Sequence, residues 1–70
     1  MFVPGEEVQI CSDESCKLGI VKDFNNFNQR IDIELVNEDA PMQRFYYSPT
    51  ELCYKLTGDL VTRFHIRRRS

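Results

Sequence analysis

Glycine is scarce in this 70-residue chain. There are three, Gly5, Gly19 and Gly58, each isolated from the others. That spacing excludes a glycine-rich phosphate cradle and leaves turns, bulges and close backbone approaches as their uses. There is one histidine, His65. A lone histidine beside scattered cysteines is not a catalytic dyad, which also needs an orienting group and a shaped cleft. The cysteines are Cys11, Cys16 and Cys53. Three cannot close into the even disulfide framework of a small secreted domain, so all are read as thiols. A Cys11–Cys16 bridge across a tight turn is the alternative on oxidation. No apolar run approaches the ~20 residues that cross a bilayer. The opening Met1-Phe2-Val3-Pro4-Gly5 has neither the basic segment nor the apolar stretch of a signal peptide. No membrane contact is expected, and the expected compartment is the cytoplasm. Internal repeats, low-complexity tracts and linkers are absent as well.

What is present is an ordinary globular composition, 41% hydrophobic, 29% charged and 11% aromatic. It is too rich in aromatic and β-branched residues for a disordered chain. The length allows one domain, which buries only about 60% of its unfolded surface. Such a core is marginal, and a homodimer is one way to complete it.

Charge is unevenly placed. Through Asp59, five basic residues stand against eleven acidic ones, a net of −6. Beyond it come Arg63, Arg67, Arg68 and Arg69 with no acid, a net of +4. An acidic body with a basic tail is the clearest electrostatic feature.

The hydrophobic period is two through most of the chain, which predicts strands. In Arg30-Ile31-Asp32-Ile33-Glu34-Leu35, the apolar residues share one face and the acids the other, as in a half-buried antiparallel strand. Val8 and Ile10 alternate with Glu7, Gln9 and Cys11. A second strand runs from Lys17 to Phe24, and Asn25-Asn26-Phe27-Asn28 joins it to the third, because asparagine tolerates left-handed backbone. Asn37-Glu38-Asp39-Ala40-Pro41 is the next turn. Met42 to Tyr47 predicts a fourth strand. Ser48-Pro49-Thr50-Glu51-Leu52 predicts one helical turn, with Ser48 as cap and Pro49 in its first position. Cys53 to Leu56 predicts a fifth strand and Leu60 to Ile66 a sixth. The expected interior is Val8, Ile10, Ile20, Ile31, Ile33, Leu35, Phe45 and Leu52.

Val3-Pro4-Gly5-Glu6-Glu7-Val8, Gly19-Ile20-Val21, Ile31-Asp32-Ile33-Glu34-Leu35, Phe45 and Ser48-Pro49-Thr50-Glu51-Leu52 together resemble the SH3-like barrel superfamily. The likeness is closest to its KOW and Tudor-like members and to small barrel subunits of photosynthetic complexes. It covers Val3 to Leu56. It implies an all-β barrel of five or six strands, with residues 1–66 as one domain, a core at 3–56, an added strand at 60–66 and a basic frayed tail at 67–70. It says little about function, since this fold hosts nucleic-acid, methylated-peptide and protein binders alike.

In Tudor-like barrels, loop aromatics cage methylated cations, and in single-strand binders such residues stack on bases. Phe24, Phe27, Tyr46 and Tyr47 are the candidates here, against the plain reading that Phe24 and Phe45 are core and the tyrosines cover a barrel end. Arg63, Arg67, Arg68 and Arg69 are candidate phosphate contacts, opposed by the acidic body. Cys11, Cys16, Cys53 and His65 have the donor types of a zinc site, but a Cys-x4-Cys spacing without a second close pair does not support one. No metal and no cofactor are expected. The expectation is a non-enzymatic protein-interaction module, either an accessory subunit or a phage-type inhibitor, that docks on a larger protein through its acidic face, the Phe45-Tyr46-Tyr47 segment or an open strand edge. The alternative is a KOW-like RNA- or DNA-binding module.

Overall fold

A computed structural model describes residues 1–39 and 42–69. The described residues form six strands: β1 (Glu7–Cys11), β2 (Cys16–Asn25), β3 (Arg30–Leu35), β4 (Gln43–Ser48), β5 (Cys53–Leu56) and β6 (His65–Arg68). All neighbours are antiparallel, in the order β5-β4-β3-β2-β1-β6. The sheet curls until its two edge strands meet at one bridge. There the Tyr54 amide donates to the Phe64 carbonyl at 2.8 Å, and the Phe64 amide donates to that of Tyr54 at 3.0 Å. Curling covers the two strand edges where they meet at that bridge.

Alternation decides what lies inside. Val8, Ile10, Val21, Ile31, Ile33, Leu35 and Phe45 form the buried cluster, with Phe2, Phe24, Tyr54, Leu56, Phe64 and Ile66 packed against it. Each fully buried side chain of this kind contributes about 1.5–3 kcal/mol. Two expected interior residues lie elsewhere. Ile20 is only half-buried, because the inward positions of β2 are Gly19 and Val21, paired with Leu35 and Ile33. The register then shifts between Val21 and Asp23. That bulge at Lys22 changes the phase of the strand, so Phe24, three residues after Val21, also reaches the core. Leu52, the second, is 69% exposed.

Three expected local structures also differ. The segment after Ser48 is a hydrogen-bonded turn and not a helix. The Leu52 amide donates to the Ser48 carbonyl at 2.8 Å, and the Glu51 amide to the Ser48 hydroxyl at 3.3 Å. Four residues between Ser48 in β4 and Cys53 in β5 leave no room for a second turn. The sixth strand starts at His65 instead of Leu60, because the Asp59 carboxylate binds the Val61 and Thr62 amides, each at 3.0 Å. Side-chain acceptors of this kind compete with ladder formation. Arg67 and Arg68 are not a frayed tail: they pair with Gln9 and Val8, and the Arg69 amide donates to the Glu7 carbonyl. In the β2–β3 turn, Asn25 Oδ1 accepts from the Phe27 amide at 2.9 Å, while the residue with positive φ is Gln29. Of the turn expected at 37–41, the last two residues lie outside the described ones.

Cys11 and Cys16 are joined as a disulfide, which corrects the all-thiol expectation, and Cys53 is free and buried. The β1–β2 register sets the two cysteines directly opposite each other, so the alternative of a bridge across a tight turn is the one the fold adopts. Closing so short a loop is expected to stabilise the fold by about 2 kcal/mol. Urea unfolding with and without reductant measures this. Reduction should lower the midpoint, and a Cys11→Ser, Cys16→Ser variant should begin at the lower midpoint and ignore reductant.

Candidate functional site

The loop from Thr57 to Arg63 joins β5 to the closing bridge. It would ordinarily be polar, yet it carries Leu60 and Val61, which are 86% and 87% exposed. Two side chains hold it. Asp59 binds the Val61 and Thr62 amides from within. Lys55 reaches from β5 and donates to the Leu60 carbonyl at 3.1 Å. The same ammonium lies 3.2 Å from Glu51, and Glu51 also meets Arg63 at 3.4 Å. This chain of contacts ties the loop to the β4–β5 turn, which ends at Leu52. Leu52 has a φ of +57°. Left-handed backbone is unfavourable for a leucine by roughly 1–2 kcal/mol, and such residues persist where the surroundings enforce them. Three exposed aliphatic side chains thus sit on two loops that the contacts of Glu51, Lys55 and Arg63 connect. A groove lined by Ser12, Asp13, Glu14, Val61, Thr62 and Arg63 separates the loop from the acidic β1–β2 turn.

The Asp59 carboxyl is held below its usual pKa, first by the hydrogen bond from the Thr62 amide and then by those from the Thr62 side chain and the Val61 amide. A depressed carboxylate pKa favours the folded loop above the unfolded value, and that contribution disappears as pH falls through the folded one. Hydrogen exchange should therefore show protected Val61 and Thr62 amides at neutral pH. Protection should fade on acidification below the ordinary aspartate range, and Asp59→Ala should lack it at every pH. Equal protection in the variant would show that the carboxylate does not order this loop.

The aromatic candidates do not assemble into one surface. Tyr46 points outward from β4 beside Lys55 and Arg30, its cross-strand neighbours, and is 38% exposed. Tyr47 is half-buried against Tyr54, with ring centroids 5.3 Å apart. Burial, followed by the Tyr47 charge, raises the Tyr54 pKa. Phe24 stacks edge-on against Phe2 at 5.9 Å. Phe27 stands alone at the β2–β3 tip, 99% exposed. The arginines divide too. Arg68 lies 5.0 Å over the Phe2 ring and pairs with Glu6, which joins it to Phe24 through Phe2. Arg63 is held by Glu51. Arg67 and Arg69 are exposed, with no salt bridge among the described residues. Leu52, Leu60 and Val61 were missed by sequence reasoning, because Leu52 reads as interior and Leu60 and Val61 read as part of the sixth strand. Asp59 followed by two aliphatics was the available signal for a capped, displayed loop.

The disulfide engages two of the four residues that have zinc-ligand chemistry, and no metal-holding cluster occurs among the described residues. No helix of the described residues is long and apolar enough to cross a membrane. In fold, the protein is an all-β, six-stranded antiparallel sheet curled toward a barrel. Compared with known proteins, the chain matches no family model, no curated protein and no solved structure.

Proposed function

We propose that the protein is a non-enzymatic interaction module of SH3-like barrel type that docks on a larger protein through Leu52, Leu60 and Val61. The observation that carries this reading is the bracing of Leu60 and Val61. Exposed single aliphatics are common on any surface. An adjacent pair on a loop held by Asp59 and Lys55, beside a leucine in left-handed backbone, is a costly display. A preordered apolar anchor loses little entropy when it enters a partner's pocket. The surrounding Lys55, Glu51, Arg63, Asp13 and Glu14 form the polar rim that protein interfaces have, so the expected partner offers an apolar cleft with charged edges. The fold supports a small accessory or inhibitory subunit, in which a rigid sheet presents short loops. A nucleic-acid module is the less favoured reading, because Phe27 at the β2–β3 tip and the β6 arginines belong to separate elements.

Affinity capture from the native host, followed by reconstitution with the purified partner, tests the proposal. Leu60→Asp with Val61→Asp should leave the unfolding free energy within about 0.5 kcal/mol of the parent and abolish the complex. Leu52→Gly should gain roughly 0.5–1 kcal/mol by relieving the left-handed leucine and weaken the complex at the same time. A complex that survives all three changes, or binding of the parent to lipid vesicles in place of a protein, would contradict the assignment.

A further inference from the structure

The curl of the sheet is incomplete on one side of its closing bridge. Residues of β6 alternate in the direction their backbone groups face. Phe64 faces β5 and bonds Tyr54, and Arg69 faces β1 and bonds Glu7. By that alternation, Ile66 and Arg68 face the β5 side. The next bridge in the register after Tyr54↔Phe64 would join Leu52 to Ile66. It does not form, because β5 begins at Cys53 and the positive φ at Leu52 turns the chain back toward β4. Among the described residues, no backbone bond reaches the amides or carbonyls of Ile66 and Arg68 from that side.

This open edge is strongly basic. Arg63, His65, Arg67 and Arg69 alternate along one face, and all are exposed. Arg68 lies on the other face beside half-buried Ile66. The acidic neighbours are Glu51 on Arg63, Glu6 on Arg68, and Glu7, which β1 brings opposite Arg69. Arg67 is paired with uncharged Gln9, so the electropositive centre of the edge falls there. Basic side chains on an edge strand deter self-association, and two β6 edges laid together would set arginine against arginine.

We infer that the β6 edge takes an extended acidic peptide segment of a partner protein as an added strand. Main-chain bonds to Ile66 and Arg68 give the affinity, acidic side chains meet Arg67 and its neighbours, and alternate apolar ones pack on Ile66. The inference rests on the reading of the protein as an interaction module and adds a second, separate surface to the Leu60–Val61 loop.

The probe is a short synthetic peptide of alternating glutamate and valine with blocked ends, titrated against the full chain. The expected result is saturable binding that weakens with salt, with slowed exchange of the Ile66 and Arg68 amides. N-methylation of every second peptide nitrogen should abolish binding in one phase and leave it intact in the other. Arg67→Glu with Arg69→Glu should weaken it by at least about tenfold, as expected for lost charge complementarity. Equal binding of both N-methylated forms would show charge attraction alone and overturn the inference. So would equal binding of a lysine–valine peptide, tighter binding of a single-stranded oligonucleotide at the same arginines, or a dimer of the chain that the peptide disperses. If the peptide fails while the partner is still captured through Leu60 and Val61, this inference falls and the module reading stands.

Discussion

Gly19→Val is expected to unfold the protein, and Gly19→Ala to cost roughly 2–3 kcal/mol, the upper part of the range for overpacked cores. Gly19 is buried in the middle of β2, between Val8 and Leu35. A Cβ there would lie 2.4 Å from Ile33 Cγ2, 3.3 Å from the Glu34 carbonyl oxygen and 3.4 Å from Ile10 Cδ1. The first contact is well inside van der Waals distance. Ile33 cannot swing aside, because it is fully buried and branched at Cβ. The second contact is backbone of the neighbouring strand. Relief therefore requires β2 and β3 to separate, and with them the central hairpin. For a domain whose whole stability is of order 5 kcal/mol, the valine change exceeds what remains. Urea titration followed by circular dichroism measures both variants. Pairing Gly19→Ala with Ile33→Ala should show favourable coupling of about 1 kcal/mol, since the second change removes the clashing methyl. An alanine variant as stable as the parent would mean that β2 and β3 do not approach as described.

Asp32→Ala should destabilise by about 2–3 kcal/mol, through loss of charge-assisted bonds and the stranding of a partly buried cation. The alternating pattern puts Asp32 on the solvent face of β3, and it does point to that face. It is nevertheless only 4% exposed, because two arginines cover it. Arg44, directly opposite on β4, donates from Nε at 2.9 Å and from Nη2 at 3.2 Å. Arg30 donates from Nη1 at 3.0 Å and reaches Asp23 on β2 with its other nitrogen at 2.6 Å. The hydrogen bonds to Asp32 and then its charge raise the Arg44 pKa above its ordinary value. Removing the carboxylate leaves Arg30, 16% exposed at its side chain, with only Asp23, whereas Arg44 is free to turn into water. The penalty is accordingly below that of a fully enclosed pair. Asp32→Asn should fall between parent and alanine, keeping acceptor geometry without charge. A neutral Asp32→Ala would show that these three strands are held by main-chain bonds and the interior alone.

How much of this was legible in the sequence depends on the range of the interaction involved. The bounds of β3 follow from strict alternation and those of β5 from the turns read on either side of it, and the structure keeps both. Ile31, Ile33 and Leu35 share the inner face because pleating leaves them no alternative. The bulge at Lys22 was hidden, since Leu18-Gly19-Ile20-Val21 supports either phase until Gly19 is set beside Ile33. The Cys11–Cys16 pairing was visible as an alternative, but the odd cysteine count favoured thiols, and only the β1–β2 register decides for the bridge. For the candidate site, the exposure of Phe27 and Tyr46 was legible from a turn tip and an outward strand position. Leu52 was not, because nothing local tells a leucine that ends a helical turn from one held in left-handed backbone. Leu60 and Val61 were read as strand, since the competition between an aspartate side chain and the ladder is settled by Lys55, which lies on another element.

Placing a photo-crosslinking amino acid at position 60 of the full chain in its native host tests the docking surface most directly, with the same residue at exposed Glu34 on the outer face as control. Irradiation should join position 60 to one protein species, in a yield that falls when unlabelled parent protein competes, and should leave position 34 unjoined. Equal capture at both positions, or none at position 60 while the chain remains bound to a larger assembly, would place the interface elsewhere and contradict the account.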